Sequence, residues 1–249
     1  MKSVSRYVSL LLMLQLATAC SPDAQPPAPP KSEASSNQAS TPSKQPEKLV
    51  LAFGDSLYAG YGLRQDQGFP AVLESELEAG GIPAKVVNAG VSGDTTAGGL
   101  ARLAFTLDGL ERKPDLAIVG LGANDALRAI DPAETRKNLD AIVGELHKRG
   151  IPVLLTGMMA PRNLGAEYVA SFDSIYPDLA KRYDAPLDPF FLQGVITRPD
   201  LLLSDGMHPN DAGVQVMAKR IAPMAAKRLA ESGDRASALP TSAALSDLR

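Results

Sequence analysis

Ser56, Asp205 and His208 have the residue types that acyl transfer by an activated serine requires. Ser56 follows an apolar run at residues 50–53 and a Gly-Asp pair, which is typical of a buried strand that ends in a tight turn. His208 comes three residues after Asp205, so the carboxylate can accept from one ring nitrogen while the other faces Ser56. An Asp-x-x-His sequence by itself also fits a turn or a helix cap. We interpret the three residues as a candidate nucleophile, orienting acid and base, and His147 as a surface or edge residue of a helix.

A hydrolytic serine also needs hydrogen-bond donors for the oxyanion that forms during acyl transfer. The candidates are the backbone N–H groups of Ser56 and Gly93 and the side-chain amide of Asn124. Glycine lets a substrate approach the backbone closely, and an amide is a neutral donor that does not compete for the base. Taken alone, Gly93 also fits an ordinary turn and Asn124 also fits a loop brace.

Strands alternate with amphipathic helices over most of the chain. The predicted strands lie at about 49–53, 84–88, 115–121, 152–156 and 185–187, and the predicted helices at about 69–77, 100–107, 131–149, 168–183 and from 210 onward. Pro223 is expected to kink or end the last helix. This alternation predicts one three-layer α/β/α domain with a parallel sheet. Because chemistry in such sheets lies at the carboxyl ends of the strands, we expect the candidate residues to meet in one crevice.

Composition argues against several classes of function. The formal net charge is −3 and no predicted face carries a cluster of Lys and Arg, so nucleic-acid binding is not expected. Cys20 is the only cysteine, so neither an intramolecular disulfide nor a thiolate metal cluster can form. We expect no cofactor and no metal, and a monomer that acts on a small molecule.

Residues 1–19 have the features of a secretory signal peptide. Two basic residues precede an apolar run at 8–16, which is too short to span a bilayer comfortably, and small residues follow it. A cysteine directly after small residues resembles a bacterial lipobox, so Cys20 is the predicted lipidation site. Ordinary signal-peptidase cleavage is the alternative, because Ala17-Thr18-Ala19 suits it equally.

The rest of the chain divides by composition. Residues 20–47 are predicted to form a disordered tether rich in Pro and Ser, residues 48–232 the folded domain, and residues 233–249 a disordered tail. The expected location is the periplasm. The lipid anchor would be the only contact with a membrane, and Ser21 after Cys20 favours the outer membrane because inner-membrane retention is commonly signalled by Asp.

Taken together, four blocks of the sequence resemble the GDSL, or SGNH, hydrolase family. They are Gly54-Asp55-Ser56-Leu57, Gly93 in Ser-Gly-Asp-Thr-Thr, Gly122-x-Asn124-Asp125, and Asp205-x-x-His208. The resemblance covers residues 49 to about 225, and the flanks are similar to the bacterial periplasmic acyl-thioesterase, lysophospholipase and arylesterase branch. It implies a flavodoxin-like parallel sheet of about five strands, a Ser-His-Asp triad, and hydrolysis of small acyl esters or thioesters without a metal.

Residues that can bind the acyl chain are predicted after the third and fourth strands. The loop at 126–131 resembles the loop that closes over acyl chains in this family, and the irregular segment after residue 157 carries apolar side chains that fit a groove, a core or a lid. The predicted substrate-binding residues are Ala126, Leu127, Met158, Met159, Leu164 and Tyr168. A carbohydrate acetylesterase and a catalytically silent surface binding module are the alternative functions.

Overall fold

The structure is a computed structural model that describes residues 47–237 of the 249-residue chain, with side chains described through residue 232. The predicted signal peptide at 1–19, the predicted lipidation site Cys20, the tether up to residue 46 and the tail beyond residue 237 lie outside the described residues.

Five parallel strands form one sheet in the order β2-β1-β3-β4-β5. They are β1 Lys48–Gly54, β2 Ala84–Gly90, β3 Leu116–Gly120, β4 Val153–Thr156 and β5 Leu187–Asp188. From β1 the chain moves to one side to form β2 and then crosses to the other side for β3, β4 and β5. The strand order therefore reverses between β1 and β3, and a crevice at the carboxyl ends of these two strands is the expected place for a ligand.

Eight α-helices connect and cover the strands in the described part of the chain. They are α1 Ser56–Ala59, α2 Phe69–Ala79, α3 Thr96–Asp108, α4 Ala123–Leu127, α5 Pro132–Lys148, α6 Ala166–Asp173, α7 Ile175–Arg182 and α8 Asp211–Ser237. None of the helices within residues 47–237 has the length and apolar character needed to cross a bilayer.

Prolines bear on two of the helix predictions, and the prediction for residues 168–183 was wrong. The single helix expected at 168–183 is broken at Ser174, because Pro177 has no N–H to donate to the carbonyl of Asp173. Pro223 was expected to kink or end the last helix, and α8 does not end there but continues to Ser237. Pro223 lies on the exposed side of α8, while Ile221, Ala222 and Ala225 are buried and hold the helix against the sheet.

The sheet has a hydrophobic core on each face. Along β1, Val50 and Ala52 lie in the core formed with α2 and α8, whereas Leu51 and Phe53 lie in the core formed with α3, α5, α6 and α7. This alternation follows from the two-residue period of a strand. The three-layer arrangement predicted from the alternation of strands and helices is therefore confirmed.

Candidate active site

Ser56 is the first residue of α1, directly after β1 ends. The carboxylate of Asp55 caps this short helix by accepting the N–H of Leu57 at 3.0 Å. The chain passes so close to β3 that a Cβ on Gly54 would lie 2.6 Å from the carbonyl oxygen of Gly120. Strand, glycine and cap together place the Ser56 hydroxyl at the carboxyl edge of the sheet.

Asp205 and His208 lie in the loop before α8. His208 is 152 positions from Ser56 in the sequence. One oxygen of Asp205 accepts the backbone N–H groups of Met207 at 2.9 Å and His208 at 3.0 Å. The other oxygen lies 2.6 Å from Nδ1 of His208. On the far side of the ring, Nε2 lies 2.9 Å from Oγ of Ser56. The structure thus brings the three predicted residues into one hydrogen-bonded chain.

The protonation states that suit this chain follow from the hydrogen bonds. Two backbone N–H groups and the imidazole lower the pKa of Asp205 to about 2, so this carboxylate is ionised at neutral pH. A carboxylate can only accept, so Nδ1 of His208 must donate to it. In the neutral imidazole Nε2 is then the acceptor for the hydroxyl proton of Ser56.

The predicted oxyanion donors lie at the same carboxyl edge of the sheet as Ser56. Gly93 occupies the third position of a turn in which Asp94 N–H donates to the Val91 carbonyl at 3.1 Å, and its φ of 84° is one that glycine adopts without strain. Asn124 donates one amide proton to the carbonyl of Asp94 at 2.9 Å. Within residues 47–237 the backbone N–H groups of Ser56 and Gly93 donate to no acceptor. Both therefore remain available to a substrate oxygen.

A buried carboxylate, Asp125, holds the elements that carry these donors. It accepts the N–H and hydroxyl of Thr96 at 2.9 Å and 2.5 Å and the hydroxyl of Thr135 at 3.2 Å, and Asn138 donates to the Thr96 hydroxyl at 3.2 Å. The first turns of α3, α4 and α5 are thereby joined. Sequence reasoning missed this role, although the position of Asp125 directly after Asn124 was a signal for it.

Two arginines fix the loop around Gly93 and were also missed. Arg102 donates to the carboxylate of Asp94 at 2.6 Å and to the carbonyl of Gly54 at 2.9 Å. Its guanidinium lies 4.1 Å from the centre of the Phe53 ring. Arg128 donates to the carbonyl of Gly93 at 2.9 Å. The loop is thus tied both to the end of β1 and to the end of α4.

The predicted substrate-binding residues fall in different places. Ala126 is buried, Leu127 and Met159 are 56% and 43% exposed, and Met158 packs against both cores. Leu164 and Tyr168 line a cleft of about 1200 Å³ between α5 and the α6–α7 pair. Neither Ser56 nor His208 lines that cleft, and the Tyr168 hydroxyl donates to the Ile130 carbonyl at 2.8 Å. The acyl groove proposed from these six residues stays a prediction.

Residues 52–216 of the chain match the family model of the GDSL-like lipase/acylhydrolase family. The chain is 38% identical to an arylesterase of Vibrio mimicus over 190 residues, which are 76% of this chain and 94% of that one. It is 41% identical over 162 residues to the esterase TesA of Pseudomonas aeruginosa PAO1, covering 65% of this chain and 80% of that one.

A solved structure agrees with these relatives. The crystal structure of AlinE4, an SGNH-hydrolase family esterase, is 54% identical in sequence to this chain. The match covers 74% of this chain and 98% of AlinE4, with a TM-score of 0.64. The fold expected from the four sequence blocks is thus confirmed. The chain belongs to the GDSL-like lipase/acylhydrolase family.

Proposed function

We propose that this chain hydrolyses carboxylic esters and thioesters of small molecules through an acyl-enzyme on Ser56. The observation that carries the proposal is the hydrogen-bonded chain from Ser56 Oγ through the His208 ring to Asp205, with distances of 2.9 Å and 2.6 Å. This is the arrangement that activates a serine for attack on a carbonyl carbon.

In the first step Nε2 of His208 takes the hydroxyl proton while Ser56 Oγ forms a bond to the carbonyl carbon. The carbonyl oxygen becomes an oxyanion that can accept from the free N–H groups of Ser56 and Gly93 and from the second amide proton of Asn124. The bond to the leaving oxygen or sulfur then breaks, and that atom receives the proton from His208. Asp205 keeps the ring oriented and stabilises its positive charge throughout.

In the second step a water molecule replaces the leaving group. His208 takes a proton from the water as its oxygen attacks the acyl carbon, and the same donors stabilise the second oxyanion. The bond between the acyl carbon and Ser56 breaks, the serine regains its proton from His208, and a carboxylic acid is released.

The nucleophile is tested with a fluorophosphonate probe, which forms a covalent bond to an activated serine. The wild-type chain should be labelled, and Ser56→Ala should abolish the label. Ser75→Ala is the matched control, because Ser75 lies on the exposed side of α2 and its hydroxyl donates to the carbonyl of Ala71. Label that persists in Ser56→Ala would remove this serine from the mechanism.

Substrate class is tested with p-nitrophenyl esters from acetate to dodecanoate and with an acyl thioester. The names arylesterase and esterase TesA of the relatives favour carboxylic ester substrates, and the exposed Leu127 and Met159 favour apolar acyl chains. We expect hydrolysis of esters and thioesters with acyl chains longer than acetyl. A strict preference for acetate would favour the acetylesterase alternative.

Anchoring at Cys20 and a location in the periplasm are part of the same proposal. One relative of 28% identity over 171 residues, covering 55% of this chain and 68% of its own, is named an uncharacterised lipoprotein, YqeF of Bacillus subtilis 168. Metabolic labelling of the full chain with a fatty acid should modify the wild type and not Cys20→Ser. Equal labelling of both would refute the anchor.

We also propose that the protein is a monomer. Light scattering of the purified protein tests this oligomeric state.

A further inference from the structure

The leaving group of an ester must lie beside His208 for a chemical reason. When the tetrahedral intermediate collapses, the leaving atom takes its proton from the imidazole, so it must come within hydrogen-bond reach of Nε2. Nε2 faces Ser56 Oγ, whereas the oxyanion is held by other donors. The side chains next to His208 therefore decide which leaving groups fit.

Tyr61 covers one face of the His208 ring. The two ring centres are 4.4 Å apart and the planes are inclined by 34°. The backbone N–H of Tyr61 donates to the carbonyl of Ser56 at 3.2 Å, and Gly60, with a φ of 78°, makes the left-handed turn that returns the chain to this point. Tyr61 is thus bonded to the backbone of the nucleophile and lies against the ring of the base.

Tyr61 nevertheless remains open to solvent. It is 51% exposed, and its hydroxyl forms no hydrogen bond within the part of the chain that the structure describes. The exposed part of the Tyr61 ring therefore presents an uncharged aromatic surface beside the imidazole, the Tyr61 surface.

We propose that the Tyr61 surface is the leaving-group subsite and that it selects aromatic over small aliphatic leaving groups. The inference rests on the acyl-enzyme mechanism proposed above. For a phenyl ester, the Ser56 Oγ–carbon bond forms, the carbon–phenolic oxygen bond breaks, and the phenolic oxygen takes the proton from His208 while its ring packs against Tyr61. An aromatic pair of this kind strengthens binding by about two- to tenfold, in addition to the effect of the apolar surface that it buries.

The test compares phenyl butyrate with ethyl butyrate in the full chain. Both esters give the same butyryl-enzyme, so a difference in kcat/KM belongs to acylation, and the intrinsic reactivity of each ester cancels when variants are compared by the phenyl-to-ethyl ratio. Tyr61→Leu should lower this ratio by about three- to tenfold. Tyr61→Phe, which keeps the ring, should leave the ratio within about twofold of the wild type.

Phe105→Leu is the matched control, because it removes an aromatic side chain that is 85% exposed toward the other end of α3. Its ratio should equal that of the wild type. An equal loss for both esters in Tyr61→Leu would make Tyr61 a positioning residue for His208 and overturn the proposal, as would an unchanged ratio. If the wild type hydrolysed neither ester and Ser56 took no fluorophosphonate label, the mechanism itself would be refuted and this subsite with it.

Discussion

Asn124 illustrates how single atoms decide the chemistry of this site. Its amide has two protons, and one of them is used to hold the carbonyl of Asp94 at 2.9 Å. The second proton has no acceptor among residues 47–237 and can meet the oxyanion only when that charge develops. A donor that is held in place before the reaction needs little reorganisation during it.

Asn124→Ala should lower kcat by roughly 10²–10³ with a much smaller change in KM, because the lost hydrogen bond is strongest in the transition state. Steady-state kinetics on p-nitrophenyl butyrate measure both constants. Gln215→Ala, which removes an exposed amide on α8, should have wild-type values. An increase in KM at constant kcat would show that Asn124 binds the ground state instead.

Asp55, next to the nucleophile, is a buried acid whose burial raises its pKa from 3.8 to about 6. The charged form is therefore disfavoured in the folded state. An acid with a raised pKa contributes stability that is complete below its unfolded pKa and is lost as pH rises through its folded pKa. The free energy of unfolding should thus lose this contribution between about pH 4 and about pH 6.

Asp55→Asn removes this titration and keeps an oxygen that can accept the N–H of Leu57. Relative to the wild type, the variant should gain on the order of 3 kcal/mol in unfolding free energy as pH rises from 3 to 7. Urea unfolding of both proteins across this range measures the difference, in which the other titrating groups cancel. A difference that does not change with pH would contradict the raised pKa.

At the scale of elements, α3, α4 and α5 are joined by one carboxylate rather than by apolar packing alone. Asp125 is buried, and its three hydrogen bonds of 2.5–3.2 Å satisfy donors at the starts of α3 and α5. Because α4 also carries Asn124 and α3 follows the Gly93 loop, this junction sets the distance between two oxyanion donors. Stability and catalysis therefore depend on the same contacts.

Asp125→Ala should lower the free energy of unfolding by at least about 2 kcal/mol, because buried donors lose a charged acceptor. It should also lower kcat, since the donors of the oxyanion are no longer held. Urea unfolding and steady-state kinetics measure the two effects. Asp108→Ala removes a carboxylate that is 67% exposed and pairs with Arg149, so its effect on stability should be within about 0.5 kcal/mol. Similar losses in both variants would argue against a special role for Asp125.

At the scale of the molecule, the last strand and the last helix are linked by a buried ion pair. Arg220 on α8 donates to both oxygens of Asp188 at 3.1 Å and 3.0 Å, and Asp188 is only 3% exposed. Arg220 also donates to the carbonyls of Phe191 and Gln193 in the segment after β5. These bonds hold α8 against the segment that leads to the His208 loop.

Arg220→Met should lower the free energy of unfolding by about 3–5 kcal/mol, since it leaves the charge of Asp188 buried without a partner. The comparison is Arg182→Met, whose partner Asp140 lies at the surface and whose own side chain is 62% exposed, with an expected loss below about 1 kcal/mol. Urea unfolding at neutral pH measures both variants. Equal losses would refute the importance of the buried pair.

The sequence by itself determined the five strands in their order, the helices α2, α3, α5 and α8, and the chemistry available to them. Strands could be predicted because apolar runs such as residues 50–53 have few alternatives to a buried strand, and the turn after β1 could be predicted because Gly54 and Ser56 follow that run directly. The pairing of Asp205 with His208 is also local, since three residues separate them. Local patterns of this kind depend mainly on neighbouring residues, which the sequence displays.

The meeting of Ser56 with His208 was predicted, but only the tertiary structure decided the distances and the further residues that join the site. The 2.9 Å contact between Ser56 and His208, the tilted contact of Tyr61 with that histidine and the bonds of Asp125 to Thr96 and Thr135 join residues from different elements. The continuation of α8 through Pro223 was likewise set by packing, because burial of neighbouring side chains can outweigh the hydrogen bond that a proline removes. Such contacts depend on how the layers pack, and no local pattern in the sequence records that geometry.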